Sequence, residues 1–402
     1  MKNYLSNVSS LYLLNFSNYI IPIFAIPLLT RILDEDSFGL LVLAQSIAAL
    51  VFIYFDMGNT ITGLRSSARI KNNEESISVY LSNLYALKFF LLSIFIIISF
   101  LVYFFFINSY NELKFYFAGS LLGIFMGFNP VWHYQANENI KNYSILSIII
   151  KSAGLALIFF FSKHESLALL VIIIQCLISL ILCAYLLLPL LMKYDFVLPG
   201  VEEIKVTFKS YFPIFIFSMF SSFHSSASIF LLNIYMSPLI LAYYSGAEKI
   251  QKFFMGFINP AERALMPIAF KSSLQNYKRD IFLKSLLTLL ALALLLLFVL
   301  YINADFLVMK ILGDKYIAST DILKILSFQL PLTALNRIFG IQRYLIHNKD
   351  NILTRIVVII GFFHLIVISQ LIPKYGVIGM AYSVLLTEGL FLFIFIIFFK
   401  KV

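Results

Sequence analysis

The stretch LILAYYSGAEKIQKFFMGFINPAERAL, residues 239–265, is apolar enough to cross a bilayer, yet it carries several ionisable side chains. These are Glu248, Lys249, Lys252, Glu262 and Arg263. An ionisable group inside a membrane costs about 2.5–3.5 kcal/mol on insertion scales, so it normally faces water or another charge. At about 100° per helical residue, Lys252 lies about 60° from Lys249 and about 20° from Arg263. The stretch therefore predicts a membrane helix with one mostly cationic face.

Two interpretations of this face are open. In the first, the charges form internal ion pairs that only hold helices together: Glu248 and Lys252 are four residues apart, the spacing of a pair on one helix face. Glu262 and Arg263 lie near one end of the stretch, where long side chains reach the aqueous interface. In the second, the face lines a wet cavity, and Lys249, Lys252 and Arg263 bind an anion. We adopt the second as the hypothesis to examine.

The composition supports a membrane protein throughout the chain. Hydrophobic residues make up 61% of it and charged residues 12%, whereas soluble domains carry about 25% charged residues. Apolar runs of about 20 residues predict helices rather than the alternating strands of a barrel. We expect an all-α integral membrane protein with about 12 transmembrane helices. Their approximate bounds are 9–31, 39–60, 81–107, 114–135, 142–161, 167–192, 210–236, 239–265, 281–304, 319–345, 352–372 and 376–399.

The longest polar connection, residues 193–209, divides these spans into two groups of equal size. It contains Pro199 and Gly200, which favour a turn. The sequence thus predicts an N-terminal six-helix lobe over 1–192, a cytosolic linker over 193–209 and a C-terminal six-helix lobe over 210–402. Two matching lobes that rock about a central site are a common plan in transporters.

The basic residues outside the spans set the expected orientation. If the N-terminus is cytosolic, most loop lysines and arginines fall on the cytosolic side, as the positive-inside rule requires. Both termini are therefore expected in the cytoplasm. The net charge of +10 then reflects topology and gives no reason to expect a nucleic-acid partner. Cys176 and Cys183 share one predicted helix and indicate neither a disulfide nor a metal site. No cofactor or nucleotide motif is present in the sequence.

Further basic residues fall in or beside the predicted spans. Lys88, Lys151 and Arg337 lie within spans, and they join the candidate anion-binding set. Arg31 lies at the predicted outer mouth, where it either attracts an anion outward or pairs with Asp34 or Asp36. Too many cations lie at membrane depth to be accidental, because each is costly if exposed to lipid.

A second group of residues is a candidate for binding a coupling ion or proton. Glu388 is a lone acid near the middle of the last span. Glu248 precedes Lys249, and its protonation would strengthen the local positive field. Asp56 either pairs with Arg65 or binds the coupling ion. His224 either carries a proton or makes a structural hydrogen bond.

Several segments, in this order and spacing, resemble the Wzx-type O-antigen and polysaccharide flippases of the multidrug/oligosaccharidyl-lipid/polysaccharide (MOP) exporter superfamily. The segments that carry the resemblance are PLLTRILDEDSFGLLVLAQSI (27–47), FDMGNTITGLRSSAR (55–69), NPVWHYQANENIKNYSIL (129–146), YYSGAEKI (243–250) and IPKYGVIGMAYSVLLTE (372–388). The resemblance covers most of the chain. It implies two six-helix bundles facing each other in a V and a location in the bacterial inner membrane.

The resemblance also implies a function. A flippase of this type, with no enzymatic activity and no cofactor, would turn an oligosaccharide linked to undecaprenyl diphosphate from the cytoplasmic to the periplasmic leaflet. The basic residues would hold the diphosphate, and Lys249, inside the YSGAEK segment, is the strongest candidate. Other polysaccharide assembly proteins are possible partners. The alternatives are a multidrug antiporter of the same superfamily, an O-antigen polymerase or lipid-dependent glycosyltransferase, and a non-transport scaffold.

Overall fold

The computed structural model describes residues 24–70, 74–106, 110–137, 139–163, 166–222, 228–273, 279–342, 344 and 350–398. Every regular element in these ranges is a helix, which agrees with the predicted all-α class. The chain forms two compact units. The first unit comprises Met1–Ala25 and Leu40–Met219, and the second unit comprises Ile26–Gly39 and Phe220–Val402.

The helices follow one another with short connections. Those that begin before residue 202 are α1 (24–32), α2 (Glu35–Asp56), α3 (Asn59–Arg69), α4 (Glu74–Phe106), α5 (Tyr110–Phe128), α6 (Val131–Ala136), α7 (Lys141–Phe160), α8 (Leu167–Lys193) and α9 (Val201–Ser222). The later ones are α10 (Ser228–Tyr235), α11 (Pro238–Ser273), α12 (Arg279–Ile302), α13 (Ala304–Ile311), α14 (Ser319–Ser327), α15 (Gln329–Asn336) and α16 (Asp350–Ile397). A 3₁₀ turn (Asp314–Tyr316) precedes α14, and a π-helical segment (Arg337–Gln342) follows α15.

Six of the described helices are long and apolar enough to cross a membrane, or seven if the bent pair Leu286–Ile302 and Ala304–Ile311 is one span. A helix suits that setting because it satisfies its own backbone polar groups where no water is present. The expected number of about 12 spans stays a prediction, since part of the chain lies outside the described residues.

Glycines bring two helices of the first unit into close contact. Gly119, Gly123 and Gly127 lie on α5 at four-residue spacing, the pattern that lets membrane helices approach closely. A Cβ atom on Gly119 would lie 2.4 Å from the carbonyl oxygen of Ala44, and one on Gly123 would lie 2.5 Å from that of Ala48. Any larger side chain on this face of α5 would therefore push α2 away.

Two breaks interrupt the long helices. Met57 (φ 49°) and Gly58 (φ 76°) separate α2 from α3. Within α16, Gly376 has non-helical angles (φ 58°, ψ −137°) and follows Pro373 by three residues. This break falls at the boundary expected between spans 352–372 and 376–399. Glycine tolerates a positive φ at little steric cost, so the sequence places each break where the backbone can turn.

The predicted linker between the two lobes is partly helical. Residues 194–200 are not helical, and α9 begins at Val201, inside the predicted linker 193–209. The backbone N–H of Gly200 donates to Glu203 Oε2 at 2.6 Å, and Glu202 and Glu203 occupy the first turn. Acidic groups there satisfy orphan N–H donors and complement the helix dipole. The two-lobe division with a linker stays a prediction.

Candidate functional site

The centre of the candidate site is Lys249 on α11, in the second unit. Its ammonium nitrogen lies 4.9 Å from the centroid of the Phe38 ring. Phe38 is wholly buried, while Lys249 is half-buried and its neighbours Ala247 and Ile250 are buried. A cation over an aromatic face is stabilised by about 0.5–2 kcal/mol, depending on how far it is desolvated. The Phe38 ring therefore stabilises the ammonium charge of Lys249 without neutralising it.

Close backbone packing places Phe38 against α11. The next residue, Gly39, lies so near the start of α11 that an added Cβ atom would be 1.9 Å from the carbonyl oxygen of Pro238. Phe38 also meets Tyr316 edge to face, with 5.9 Å between ring centroids. Tyr316 in turn meets Tyr243 of α11 edge to face, also at 5.9 Å. The ring that contacts Lys249 is thus held by Tyr316, which Tyr243 supports.

The acid beside Lys249 has a different partner. Glu248 Oε1 lies 2.9 Å from Lys252 Nζ, which is the internal ion pair of the first interpretation. The anion-binding role of Lys252 stays a prediction. The Glu248 side chain is 9% exposed and that of Lys252 is 48% exposed. Among Glu248, Lys249 and Lys252, the pair leaves one formal positive charge, that of Lys249. Lys249 also makes a contact within the protein.

Arg31 lies in the same unit and is exposed. It donates from Nη2 to the backbone carbonyl of Lys310 at 2.9 Å, so its observed hydrogen bond goes to neither predicted acidic partner. Asp34 Oδ2 accepts the backbone N–H of Ser37 at 3.0 Å. Partial burial works against the Asp34 charge, but the hydrogen bonds from Ser37 and the positive charge of Lys315 outweigh it and lower the pKa of Asp34.

The other predicted basic residues occupy different settings. Lys88 is wholly buried in the first unit and donates to the Gly127 carbonyl at 2.5 Å, which leaves no exposed surface for a ligand. This position does not support the expected anion-binding role. Lys151 on α7 and Arg337 in the π-helical segment are half-buried, and both make contacts within the protein. The side chain of Arg263 lies outside the described part of the structure.

Glu388 is the candidate for binding a coupling ion whose side-chain partners are described most fully. It is 5% exposed on α16. Its Oε1 accepts hydrogen bonds from Gln329 Nε2 at 3.2 Å and Thr333 Oγ1 at 3.1 Å, and its Oε2 accepts one from Asn336 Nδ2 at 2.6 Å. These donors are neutral, so the carboxylate is solvated by dipoles in place of water. Asn336 Oδ1 is buried and has no hydrogen-bond partner among the described residues.

A histidine that the sequence analysis missed lies next to this group. His364 is wholly buried. Its Nδ1 lies 2.7 Å from Thr387 Oγ1 and its Nε2 lies 3.3 Å from Ser228 Oγ. The available signal was a histidine within an otherwise apolar helix, but its partners are far away in the sequence and could not be paired from it.

The remaining two candidates are less informative. Asp56 is 9% exposed, and its Oδ1 accepts a hydrogen bond from the Thr60 hydroxyl at 3.1 Å. The side chain of Arg65, its predicted partner, is not among those described. His224 lies outside the described residues. Within the described part of the chain, no group of three or more His, Cys, Asp or Glu side chains could hold a metal ion.

Comparison with known proteins shows the family to which the chain belongs. Residues 4–273 match the family model described as "Polysaccharide biosynthesis protein". A "Putative O-antigen transporter" of Escherichia coli (strain K12) is 24% identical over 398 residues, 96% of this chain and 94% of that protein. A protein of the same description from Shigella dysenteriae is 25% identical and covers 96% of this chain and 97% of its own length.

Solved structures agree on the fold. The inward closed conformation of the lipid II flippase MurJ superposes with a TM-score of 0.75 at 16% identity, over 98% of this chain and 88% of that one. An inward-facing multidrug resistance MATE transporter of the MOP superfamily gives 0.64 at 12% identity, over 95% of this chain and 98% of that one. These likenesses confirm the predicted fold class.

Proposed function

This chain belongs to the polysaccharide biosynthesis protein family and is a polysaccharide transporter of the MOP exporter superfamily, and on that premise we propose that it is a flippase for a lipid-linked oligosaccharide. The substrate would be an O-antigen repeat unit on undecaprenyl diphosphate. It would move from the cytoplasmic to the periplasmic leaflet of a bacterial inner membrane, through a cationic cavity and by alternating access. Both termini would face the cytoplasm.

The observation that carries this proposal is the setting of Lys249. A half-buried ammonium lies over the buried ring of Phe38, while the neighbouring carboxylate is held by Lys252. A diphosphate is the negatively charged part of such a substrate, and it needs a fixed positive charge to replace the water it loses. A lysine is a point charge on a flexible stem, whereas an arginine grips phosphate with two parallel hydrogen bonds. The lysine therefore suits a ligand that must also be released.

The membrane potential favours the proposed direction. Moving one negative charge outward across an inside-negative potential of about 100 mV gains about 2.3 kcal/mol. The protein then needs only to lower the barrier that hydrocarbon presents to the diphosphate and the sugars.

Glu388 is the proposed coupling group. A carboxylate bonded to three neutral side chains can exchange a proton, or accept a small cation, without breaking an ion pair. Either event changes the charge inside the second unit and can bias one conformation over another. Glu248, Asp56 and His224 remain alternative positions for the same role. Interaction with other polysaccharide assembly proteins belongs to the same proposal.

The experiment that tests the function is deletion of the gene, followed by location of the lipid-linked glycan. Loss of a flippase predicts accumulation of single repeat units on the cytoplasmic leaflet, and re-expression of the chain should clear them. Single repeat units on the periplasmic leaflet would instead indicate a polymerase. Unchanged glycan together with increased sensitivity to cationic drugs would indicate a multidrug antiporter. Either of these last two outcomes would reject the proposal.

A further inference from the structure

A cavity of about 550 Å³ opens between α3 and α4 of the first unit, within the volume range of small-molecule sites. Its walls are Ser66, Ile70, Glu75, Ser76, Val79, Tyr80 and Asn83. The α4 members recur at intervals of three and four residues, so they occupy one face of that helix. The cavity is therefore formed by the opening turns of α4 and the end of α3.

The chemistry of these walls is mixed. They present hydroxyl, phenol, amide and carboxylate groups beside two aliphatic side chains, so they offer both donors and acceptors. Among the described lining residues Glu75 alone carries a charge. A sugar has the complementary features: many hydroxyl groups that both donate and accept, and apolar C–H faces.

A second cavity in the same unit, of about 520 Å³, provides the contrast. Its walls are Tyr54, Met57, Leu87, Phe90, Leu91, Ile94, Val201, Ile204, Lys205, Phe208 and Phe215. Those side chains are nearly all apolar or aromatic, and they offer almost nothing to a hydroxyl-rich ligand. Polar walls are thus a feature of the first cavity that the second cavity does not share.

Residues outside the cavity hold its polar wall in position. The Tyr80 hydroxyl contacts the Tyr211 hydroxyl, and its ring meets Trp132 edge to face at 5.9 Å. On α4, Ser82 Oγ accepts the backbone N–H of Val197 at 3.1 Å. Asn83, by contrast, has no hydrogen-bond partner within the described residues, so its amide is available to a ligand. A fixed wall with unused polar groups lowers the entropic cost of binding.

We propose that this cavity binds a sugar of the oligosaccharide that the flippase carries, with Asn83 and Glu75 bonding to its hydroxyl groups and Val79 and Ile70 against its apolar face. The assignment rests on the proposed function for its biological meaning, but sugar binding can be measured without transport. It would make the first unit a place where glycan structure is recognised, separate in chemistry from the lysine site of the second unit.

The chain contains a built-in reporter for this cavity. Trp132 is the single tryptophan of the sequence, it is buried, and it contacts Tyr80 of the wall. Purified protein in lipid nanodiscs would be titrated with methyl glycosides of hexoses, 6-deoxyhexoses and N-acetylhexosamines, and tryptophan emission would be recorded. At least one glycoside should change the emission saturably. Asn83→Ala should weaken that binding by up to about tenfold, because one hydrogen bond to the sugar is lost.

Two further variants separate binding from folding. Val79 is 51% exposed, so Val79→Phe can fill the cavity without disturbing the core, and it should abolish the signal. Ser93→Ala is the control on the same helix, because Ser93 is exposed and its hydroxyl donates to the Phe90 carbonyl of its own helix at 2.7 Å. This control should bind as the unaltered protein does.

The assignment is overturned if no glycoside changes the emission up to its solubility limit, or if Asn83→Ala and Val79→Phe both bind as tightly as the unaltered protein. Flipping of a lipid-linked oligosaccharide by the same preparation in proteoliposomes distinguishes the two proposals. Flipping without sugar binding would reject the sugar site and support the flippase function. Sugar binding without flipping would support the sugar site and reject the flippase function.

Discussion

Lys88 on α4 and Lys249 on α11 both lie in helices of mainly apolar sequence, yet their surroundings differ. Lys88 is wholly buried, donates to the Gly127 carbonyl at 2.5 Å, and lies 5.5 Å from the ring centroid of Tyr85 and 5.7 Å from that of Phe128. Lys249 is half-buried over Phe38. The first charge is used to join α4 to α5. The second is partly exposed and also makes a contact within the protein, and we propose that it binds an anion. A charge at membrane depth is therefore not by itself evidence of a ligand.

The largest effect on transport is expected at Lys249. Lys249→Ala removes the fixed charge and should abolish surface polysaccharide, while Lys249→Arg keeps the charge and should retain part of it. Both variants would be expressed in a strain that lacks the gene, and polysaccharide would be measured at equal amounts of membrane-inserted protein. Equal output from the two variants would count against a role for charge.

A change in energy coupling is expected at Glu388. Glu388→Gln replaces one acceptor oxygen by a donor that faces Gln329, Thr333 or Asn336, and it removes the exchangeable charge. Transport in proteoliposomes should then lose its response to an imposed proton or sodium gradient. The unaltered protein should be stimulated severalfold by one of these gradients. A variant that keeps the full stimulation would remove Glu388 from the coupling role.

A smaller loss is expected from Gly39→Ala, which tests how the Lys249 site is positioned. The new methyl group would lie 1.9 Å from the Pro238 carbonyl oxygen, so Phe38 and α11 must separate. Overpacking of this kind costs about 1–3 kcal/mol of stability, and transport per folded molecule should fall as Phe38 moves from Lys249. Gly389→Ala is the matched control, since nothing lies within 4 Å of its added Cβ. Equal melting temperatures and transport rates for the two variants would contradict this account of the packing.

The smallest effect on transport is expected at Lys88. Lys88→Ala leaves a cavity and an unpaired carbonyl group at Gly127, which together cost about 3 kcal/mol of stability. The melting temperature and the amount of folded protein should fall, while each folded molecule transports at the ordinary rate. Lys88→Met fills the space and should be less destabilising. A folded Lys88→Met protein that fails to transport would show that Lys88 acts on the substrate after all.

Much of the fold follows from local sequence patterns. Long apolar runs predict helices, the four-residue spacing is that of the Glu248–Lys252 pair in the structure, and the boundary predicted between spans 352–372 and 376–399 coincides with the break in α16 at Gly376. Each of these depends on residues close together in the chain. These features can therefore be predicted from interactions within one or two helical turns.

The position of Lys88 could not be predicted in the same way. Helix α4 is apolar on nearly every side, so its hydrophobic pattern does not tell which face is buried. The partners of Glu388 and His364 come from distant helices, and only the tertiary packing brings them together. The start of α9 inside the predicted linker has a local cause that was overlooked, namely the acidic first turn after Gly200.

The most direct test of the central claim is the flipping rate of purified protein in proteoliposomes that contain a fluorescent oligosaccharide on undecaprenyl diphosphate. With an inside-negative potential, the unaltered protein should transfer the lipid rapidly, Lys249→Arg should transfer it more slowly, and Lys249→Ala should be no faster than protein-free liposomes. Transfer by Lys249→Ala at the rate of the unaltered protein would contradict the claim that the Lys249 charge carries the diphosphate across.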